Sequence, residues 1–215
     1  MQSSSEKGGE ATRTAILDAA EELFAQSGFD GVPVRKIAIA ANVGLSLVTY
    51  HFASKEMLFE QVIARRSEVL NEMRRERLGK FLKDKKGDLR YVVDSYTKPF
   101  FTRISEADRN WKNYGELIAQ VAQSQRYSKL ITHQYDKTAR LFVDSLMILY
   151  PSARREDAIR AVVYSVSVML SVFSSAGRVE TISEGQITTK DPWNSYPSMT
   201  EFICGGIHAI LFGEK

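Results

Sequence analysis

The segment from residue 34 to residue 55, VRKIAIAANVGLSLVTYHFASK, constrains the fold more than any other part of this chain. Its first half carries Ile and Ala at helical spacing and predicts a short helix with one packed face. Asn42 tolerates the left-handed conformation that ends a helix sharply, and Gly44 precedes a second short helix over 45–52. Because so short a helix is unstable alone, neighbouring helices must support it. A short, supported helix of this kind is what recognition of a DNA major groove requires.

Further helices are predicted on both sides of this segment. Upstream, apolar residues share one helical face: Ile16, Leu17, Ala20, Leu23 and Phe24. Gly28 stands where that helix should end, and Gly31 provides a second turn. Downstream, Ser54 is a suitable N-cap for a long fourth helix with Lys55 in its first turn. The pattern is three helices followed by a longer one.

This order of features resembles the tetracycline-repressor (TetR) family of bacterial transcription regulators. The resemblance rests on five stretches: Ala15–Phe29, Arg35–Ala38, Ala41–Val43, Tyr50–Phe52 and Ser54–Glu56. It implies an all-α fold of about nine helices. A flexible N-terminal arm (1–10) would precede a helix-turn-helix DNA-binding domain (11–55) and a larger helical ligand-binding and dimerisation domain (56–215). The function it implies is a sequence-specific regulator, most often a repressor, that a small-molecule effector releases from a palindromic operator.

The resemblance and the side-chain chemistry together nominate DNA-binding residues around the second helix of the motif. Tyr50 and Lys55 match family positions that contact phosphates, and Lys55 would act with the free N–H groups at the start of the fourth helix. Thr49 offers a hydroxyl to a phosphate or a base. Two interpretations are open for His51, which could reach a phosphate or be a structural imidazole under the fourth helix.

The other DNA-binding candidates lie in the first turn of the second helix and beside the first helix. Leu45, Ser46 and Leu47 occupy the exposed turn, so direct base reading would rely on apolar contact with thymine methyl groups. Arg35 and Lys36 could neutralise backbone charge. Residues before the fourth helix are mildly acidic overall, which favours a few positioned phosphate contacts, doubled by dimerisation, over a generally basic surface.

Aromatic side chains with a few hydrogen-bonding tips are frequent in the middle of the chain, as in ligand pockets. The ligand-binding candidates are Tyr96, Phe100, Trp111, Tyr114, Leu117, His133, Phe142 and Phe173. Taken singly, each of these residue types is more often ordinary core than a ligand contact. As a set they indicate an apolar or amphipathic effector. The basic run Arg74–Lys86 is interpreted as the solvated end of an amphipathic helix. The alternative, that this run contacts DNA, is less favoured because the run is remote from the recognition helix.

Two C-terminal segments, 156–177 and 198–213, each combine a broad apolar face with small residues. They could pack within one subunit or form an oligomer interface. The resemblance favours the second interpretation, because TetR-like proteins dimerise through two such helices from each subunit. A two-fold dimer would present two recognition helices to successive turns of a palindromic site.

Composition and motifs limit the other classes of protein. The single cysteine, Cys204, excludes an internal disulfide, and no signal peptide or bilayer-length apolar run is found, so a cytoplasmic protein is expected. No metal-ligand spacing, phosphate loop or nucleophile motif is present, so we expect no catalytic residues, metal or cofactor. The alternative function is an all-helical small-molecule-binding or enzymatic module in which the N-terminal motif is only structural.

Overall fold

The structure is a computed structural model that describes residues 4–105, 109–174 and 177–212, and these residues are helical or irregular without any strand. The described residues form ten α-helices: α1 (Ser4–Ser27), α2 (Val34–Ala40), α3 (Leu45–His51), α4 (Lys55–Asp84), α5 (Leu89–Ser105), α6 (Arg109–Val121), α7 (Ser128–Leu149), α8 (Arg155–Ser171), α9 (Arg178–Ile182) and α10 (Tyr196–Phe212). Short 3-10 turns occupy Gln125–Tyr127 and Pro192–Asn194. The predicted all-α class is confirmed, and the short α9 accounts for the difference from the expected nine helices.

The first three helices, α1 to α3, form a compact unit that we call the head. Gly28 ends α1 with a φ of 67°, and Asn42 turns the chain between α2 and α3 with a φ of 54°, as its residue type predicts. Phe24, Ile37 and Val48, one from each helix, are buried together in the core of the head. The short helix α3 is therefore held by its neighbours.

The N-terminus departs from the sequence prediction. Residues 4–10, which we expected to belong to a flexible arm, form the first turns of α1. Glu and Ala in and beside this stretch favour continuation of the helix. Residues 1–3 lie outside the described part of the chain.

Helix α4 connects the head to the rest of the molecule, which we call the body. Ser54 caps it as predicted, since its hydroxyl accepts a hydrogen bond from the backbone N–H of Met57 at 3.1 Å. Its 30 residues correspond to a rod of about 45 Å. Along this length α4 packs against α1, α5 and α7. One helix thus contacts both the head and the body.

The body packs α5 to α8 and α10 around an apolar core that continues into the head. Helix α6 lies against α1, so the head and the body share a second contact besides α4. Helix α8 packs on α10 with one face and leaves another face exposed. Within the described ranges no helix combines the length and apolarity needed to cross a membrane.

Candidate DNA-binding and ligand-binding sites

Helix α3 presents its predicted DNA-binding residues to solvent. Leu45, Ser46, Leu47 and Thr49 are exposed, and Tyr50 is 81% exposed. Leu45 and Leu47 keep 48% and 42% of their surface exposed beside the Tyr50 ring, and this cluster of exposed apolar surface indicates a contact surface. Thr49 donates its hydroxyl hydrogen bond to the Ser46 carbonyl at 3.0 Å, a local bond that a DNA contact would replace.

Lys55 stands at the start of α4, beside α3. Its Nζ lies 4.3 Å from the centroid of the Phe29 ring, which holds the ammonium group next to the head by a cation–π interaction. The first N–H groups of a helix lack intrahelical acceptors, so the same place favours an anion. His51 is half-buried, with its ring 5.2 Å from that of Tyr50, a geometry compatible with both of its interpretations.

Arg35 and Lys36 are exposed on α2. A third exposed residue on this helix, Ile39, escaped the sequence analysis although it is 71% exposed. The helical spacing could have predicted this exposure, because Ile39 lies off the helical face on which Ile37 and Ala38 are buried. The exposed surface of α2 therefore combines two cations with an apolar side chain next to α3.

A cavity of about 340 Å³ lies in the body between α4, α5, α6, α7 and α8. Its walls are mostly apolar, as in sites for small molecules. The structure brings three of the predicted ligand-binding residues together there, Tyr96, Phe100 and Tyr114. The cavity volume is at the lower end of the range of ligand pockets, about 300–1,000 Å³.

The other five predicted ligand-binding residues do not line this cavity. Phe142 stacks on Tyr96 with ring centroids 4.9 Å apart, and Phe173 packs on Phe100 at 4.5 Å, so both support the wall from behind. Trp111 is buried with the Arg66 guanidinium 4.9 Å from its ring, Leu117 is buried in a cleft beside the head, and His133 is exposed on α7. The aromatic pattern pointed to the helices that surround this cavity, and it did not distinguish residues that line the cavity from residues that pack behind them.

Arg74 is a second functional candidate that the sequence analysis missed. We expected the run from residue 74 to residue 86 to be solvated, yet Arg74 is only 2% exposed and lines the cavity. Its Nε donates a hydrogen bond to the Tyr96 carbonyl at 2.8 Å, and its guanidinium carbon lies 4.1 Å from the centroid of the Tyr96 ring. The signal was its spacing, since Arg74 falls four residues from both Leu70 and Leu78 on the buried face of α4.

Two tyrosines of the cavity wall form a hydroxyl pair. The Oη atoms of Tyr114 on α6 and Tyr135 on α7 are hydrogen-bonded to each other. Burial raises the pKa of both phenols well above the usual 10. Both hydroxyls therefore stay protonated near neutral pH. One of the two O–H groups donates to the other, and the second O–H group does not donate within the pair.

The segment after α6 contacts both the cavity and the head. Ala122 and Gln123 line the cavity. A few residues further, Arg126 forms an ion pair with Asp30 in the turn after α1, with Nη2 and Oδ1 3.1 Å apart. The same guanidinium lies 5.1 Å from the ring of Phe29, the ring on which Lys55 rests. A displacement of this segment would be passed through Asp30 and Phe29 to the part of the head that contacts Lys55.

The single cysteine of the chain, Cys204, lies on α10 and is half-buried. Burial raises the pKa of the Cys204 thiol to about 11, so it stays a protonated packing group. Within the described ranges, no three His, Cys, Asp or Glu side chains cluster as metal ligands would.

A supported recognition helix on a head that is joined by one long helix to a body with a cavity defines the class of helix-turn-helix regulators. The family model described as bacterial regulatory proteins, tetR family, matches residues 16–62. The model described as tetracyclin repressor-like, C-terminal domain, matches residues 94–206, more than half of the chain. The chain belongs to the TetR family.

Curated relatives match about a quarter of this chain. A Bacillus subtilis (strain 168) protein named as a probable HTH-type transcriptional regulator, YttP, is 38% identical over 53 residues, 25% of this chain and 26% of that protein. The HTH-type transcriptional regulator UidR of Escherichia coli (strain K12) is 36% identical over 52 residues, 24% of this chain and 26% of UidR. The match thus spans about a quarter of the length of these relatives.

Solved structures share the whole fold at low sequence identity. The fatty acid degradation regulator FadR from Bacillus halodurans superimposes with a TM-score of 0.65 over 91% of this chain and 95% of FadR, at 17% identity. This similarity shows the fold of head and body together. The family and its neighbours are transcriptional regulators and not enzymes, in agreement with the expected absence of an active site.

Proposed function

We propose that this protein is a dimeric, ligand-responsive transcriptional regulator that binds a palindromic operator through α3 and is released when an effector fills the cavity. The exposed face of α3 carries the proposal, because leucine and tyrosine side chains are held in solvent on a helix that the core of the head supports. The domain division into a DNA-binding unit over 11–55 and a ligand-binding and dimerisation unit over 56–215 belongs to the same proposal.

In this proposal the DNA contacts fall into two groups. Tyr50, Thr49 and Lys55 bind phosphates on one side of the major groove and fix the position of the head. Leu45 and Leu47 contact base edges, where apolar side chains recognise the methyl group of thymine. The further predicted residues Arg35, Lys36, Ser46 and His51 belong to the same proposed surface, and the exposed Ile39 would extend it along α2.

The dimer is supported by an apolar face that α8 and α10 leave exposed, close to the predicted 156–177 and 198–213. Its exposed large side chains are Ile159, Val163, Tyr164, Phe202 and Phe212. Between them, a Cβ atom added to Gly205 or Gly206 would meet nothing within 4 Å, so another helix can approach closely there. A two-fold axis through this face would place the heads on successive turns of DNA.

The contacts that join the cavity to the head support a coupling between effector binding and DNA binding, and repression with release by an effector is the mode that we propose. The segment over 120–126 lines the cavity and holds the head by Arg126 and by Gln120, whose side-chain amide donates to the Ala25 carbonyl at 3.0 Å. A coupling of about 1–3 kcal/mol between the two sites would change DNA affinity by about 5- to 150-fold. Such a regulator acts on the chromosome, which places it in the bacterial cytoplasm.

The test is capture of fragmented genomic DNA from the source organism on purified protein, at physiological salt, followed by sequencing. The protein is unfolded and refolded beforehand, which removes any effector retained during purification. Recovery of a few fragments that share an inverted repeat supports the regulator. Uniform retention, or none, from the refolded protein would contradict it and favour the alternative in which the head is only structural.

A further inference from the structure

The cavity contains a buried positive charge without a negative partner. Among the described residues, no Asp or Glu oxygen lies within 4.0 Å of the Arg74 guanidinium. Its contacts are one backbone carbonyl, the face of Tyr96, and the Sδ atom of Met169 at 4.0 Å, which is a weak acceptor. A buried cation normally has a paired anion, since its charge is costly to keep out of water. An anionic acceptor on a ligand, bound in the cavity that Arg74 lines, would supply this missing partner.

Neighbouring groups extend this donor site. Of the two protons in the Tyr114–Tyr135 pair, one serves the bond between them and the other is free to point at a ligand. Arg74 is close enough for its charge to lower the pKa of both phenols against the larger effect of burial. The cavity thus offers a guanidinium and a hydroxyl donor beside apolar walls that include Phe100 and Leu170.

We propose that the effector is an organic acid with one carboxylate, which pairs with Arg74, and an apolar body that lies along Phe100, Ile118 and Leu170. This inference rests on the proposed function, because it names the ligand of the proposed effector site. The planar guanidinium matches a carboxylate by two parallel hydrogen bonds.

Charge and volume limit the ligand further. Asp136 lines the same cavity and is half-buried, so a second negative charge on the ligand would meet repulsion that one arginine does not offset. The cavity volume of about 340 Å³ lies at the lower end of the range for ligand pockets, which favours a small ligand. A monocarboxylic acid with a chain or ring of this size fits both limits.

The experiment is a calorimetric titration of the full chain, unfolded and refolded to remove bound ligand, with octanoate and 4-phenylbutyrate. Each acid is compared with its neutral amide, octanamide or 4-phenylbutyramide, which has the same shape. We expect at least one acid to bind at least tenfold more tightly than its amide. Arg74→Met should abolish this preference, whereas Arg75→Gln, a change to the next residue on α4 that does not line the cavity, should keep it.

Equal binding of acid and amide, an acid preference that survives in Arg74→Met, or failure of all four compounds to bind would overturn the inference. If Arg74→Met does not fold, as judged by circular dichroism and thermal melting, Tyr135→Phe replaces it and should weaken the acid more than the amide. Since no DNA enters the titration, a negative result leaves the regulator proposal intact. Failure to capture specific DNA would contradict that proposal without changing the preference measured here.

Discussion

Glu21 on α1 accepts a hydrogen bond from the Arg65 guanidinium on α4 at 2.5 Å, across the joint between the head and the long helix. Arg66 also donates to this carboxylate, at 3.1 Å. The Glu21 side chain is completely buried, and its second oxygen, Oε1, has no hydrogen-bond partner. The joint is therefore a buried ionic contact. The Glu21 carboxylate has lost its hydration there, and only its Oε2 atom is paired with the two arginines.

This contact makes stability depend on pH. Burial raises the pKa of Glu21 above its ordinary 4.5, against the opposing influence of Arg65 and Arg66. The folded state then holds the proton more tightly than the unfolded state does. The contribution of Glu21 to the free energy of unfolding is fully present below pH 4.5 and is lost as the pH rises through the raised pKa.

The Glu21→Gln variant tests the direction of this pH dependence. It lacks the carboxyl group that titrates, so it provides the reference for the effect of every other titrating group. In urea denaturation from pH 4 to pH 7, the free energy of unfolding of the wild type should fall relative to that of Glu21→Gln as the pH rises. The opposite trend would mean that the arginines dominate and that the pKa of Glu21 is lowered.

Lys55→Gln should weaken operator binding by about tenfold or more, since a hydrogen bond from a charged group to a phosphate is lost in each subunit. The slope of log affinity against log salt should fall by about one for each lost contact. The lost cation–π contact with Phe29 should cost only about 0.5–1 kcal/mol of stability. Fluorescence anisotropy with a captured operator fragment measures the effect. The exposed Lys98 on α5 provides the control, and an equal loss in Lys98→Gln would argue against a specific role for Lys55.

Phe202→Asp should shift the protein from dimer towards monomer by at least tenfold in dissociation constant, because it places a charge in the proposed interface. Phe202 is 69% exposed in one subunit, so the fold of the monomer should persist. Ile182→Asp on α9 is the matched control, since Ile182 is 72% exposed and lies outside the face of α8 and α10. Sedimentation equilibrium distinguishes them, and a Phe202→Asp variant that remains dimeric would move the interface elsewhere.

Leu117→Ala and His133→Ala should separate core from surface among the predicted ligand-binding residues. Leu117 is fully buried, so its truncation should cost about 2–5 kcal/mol in the free energy of unfolding. His133 is exposed, and its replacement should change stability by no more than about 0.5 kcal/mol. Urea denaturation measures both. A large cost at His133 would show that α7 is packed differently from the structure described.

The head could be predicted from sequence because its features are local. Asn42 and Ser54 have conformational or hydrogen-bonding preferences that act within a few residues, and the apolar spacing of each helix fixes which face is buried. The structure reproduces these features in detail. The start of α1 was harder, since a helix end without a strong cap is set by weak propensities.

The cavity could not be predicted in the same way, because it is a space left between five helices. Tyr96 and Phe142 have the same apolar character in sequence, yet one lines the cavity and the other stacks behind it. Which of them meets the space depends on how helices from distant parts of the chain pack. For Arg74 the sequence prediction was wrong in the opposite direction. A charged residue in a basic run is expected in solvent, whereas Arg74 lies on the buried face of α4.

Arg74 and Lys55 belong to the same helix, 19 residues apart, which is about 28 Å along its axis. If α4 turned by about 5° around Arg74, Lys55 would move by about 2.5 Å at this radius. Two heads moving in opposite directions about a dimer axis would change their separation by about 5 Å, against a half-site spacing of about 34–36 Å. A rotation of α4 by about 5° would therefore be enough to take both heads out of register with DNA.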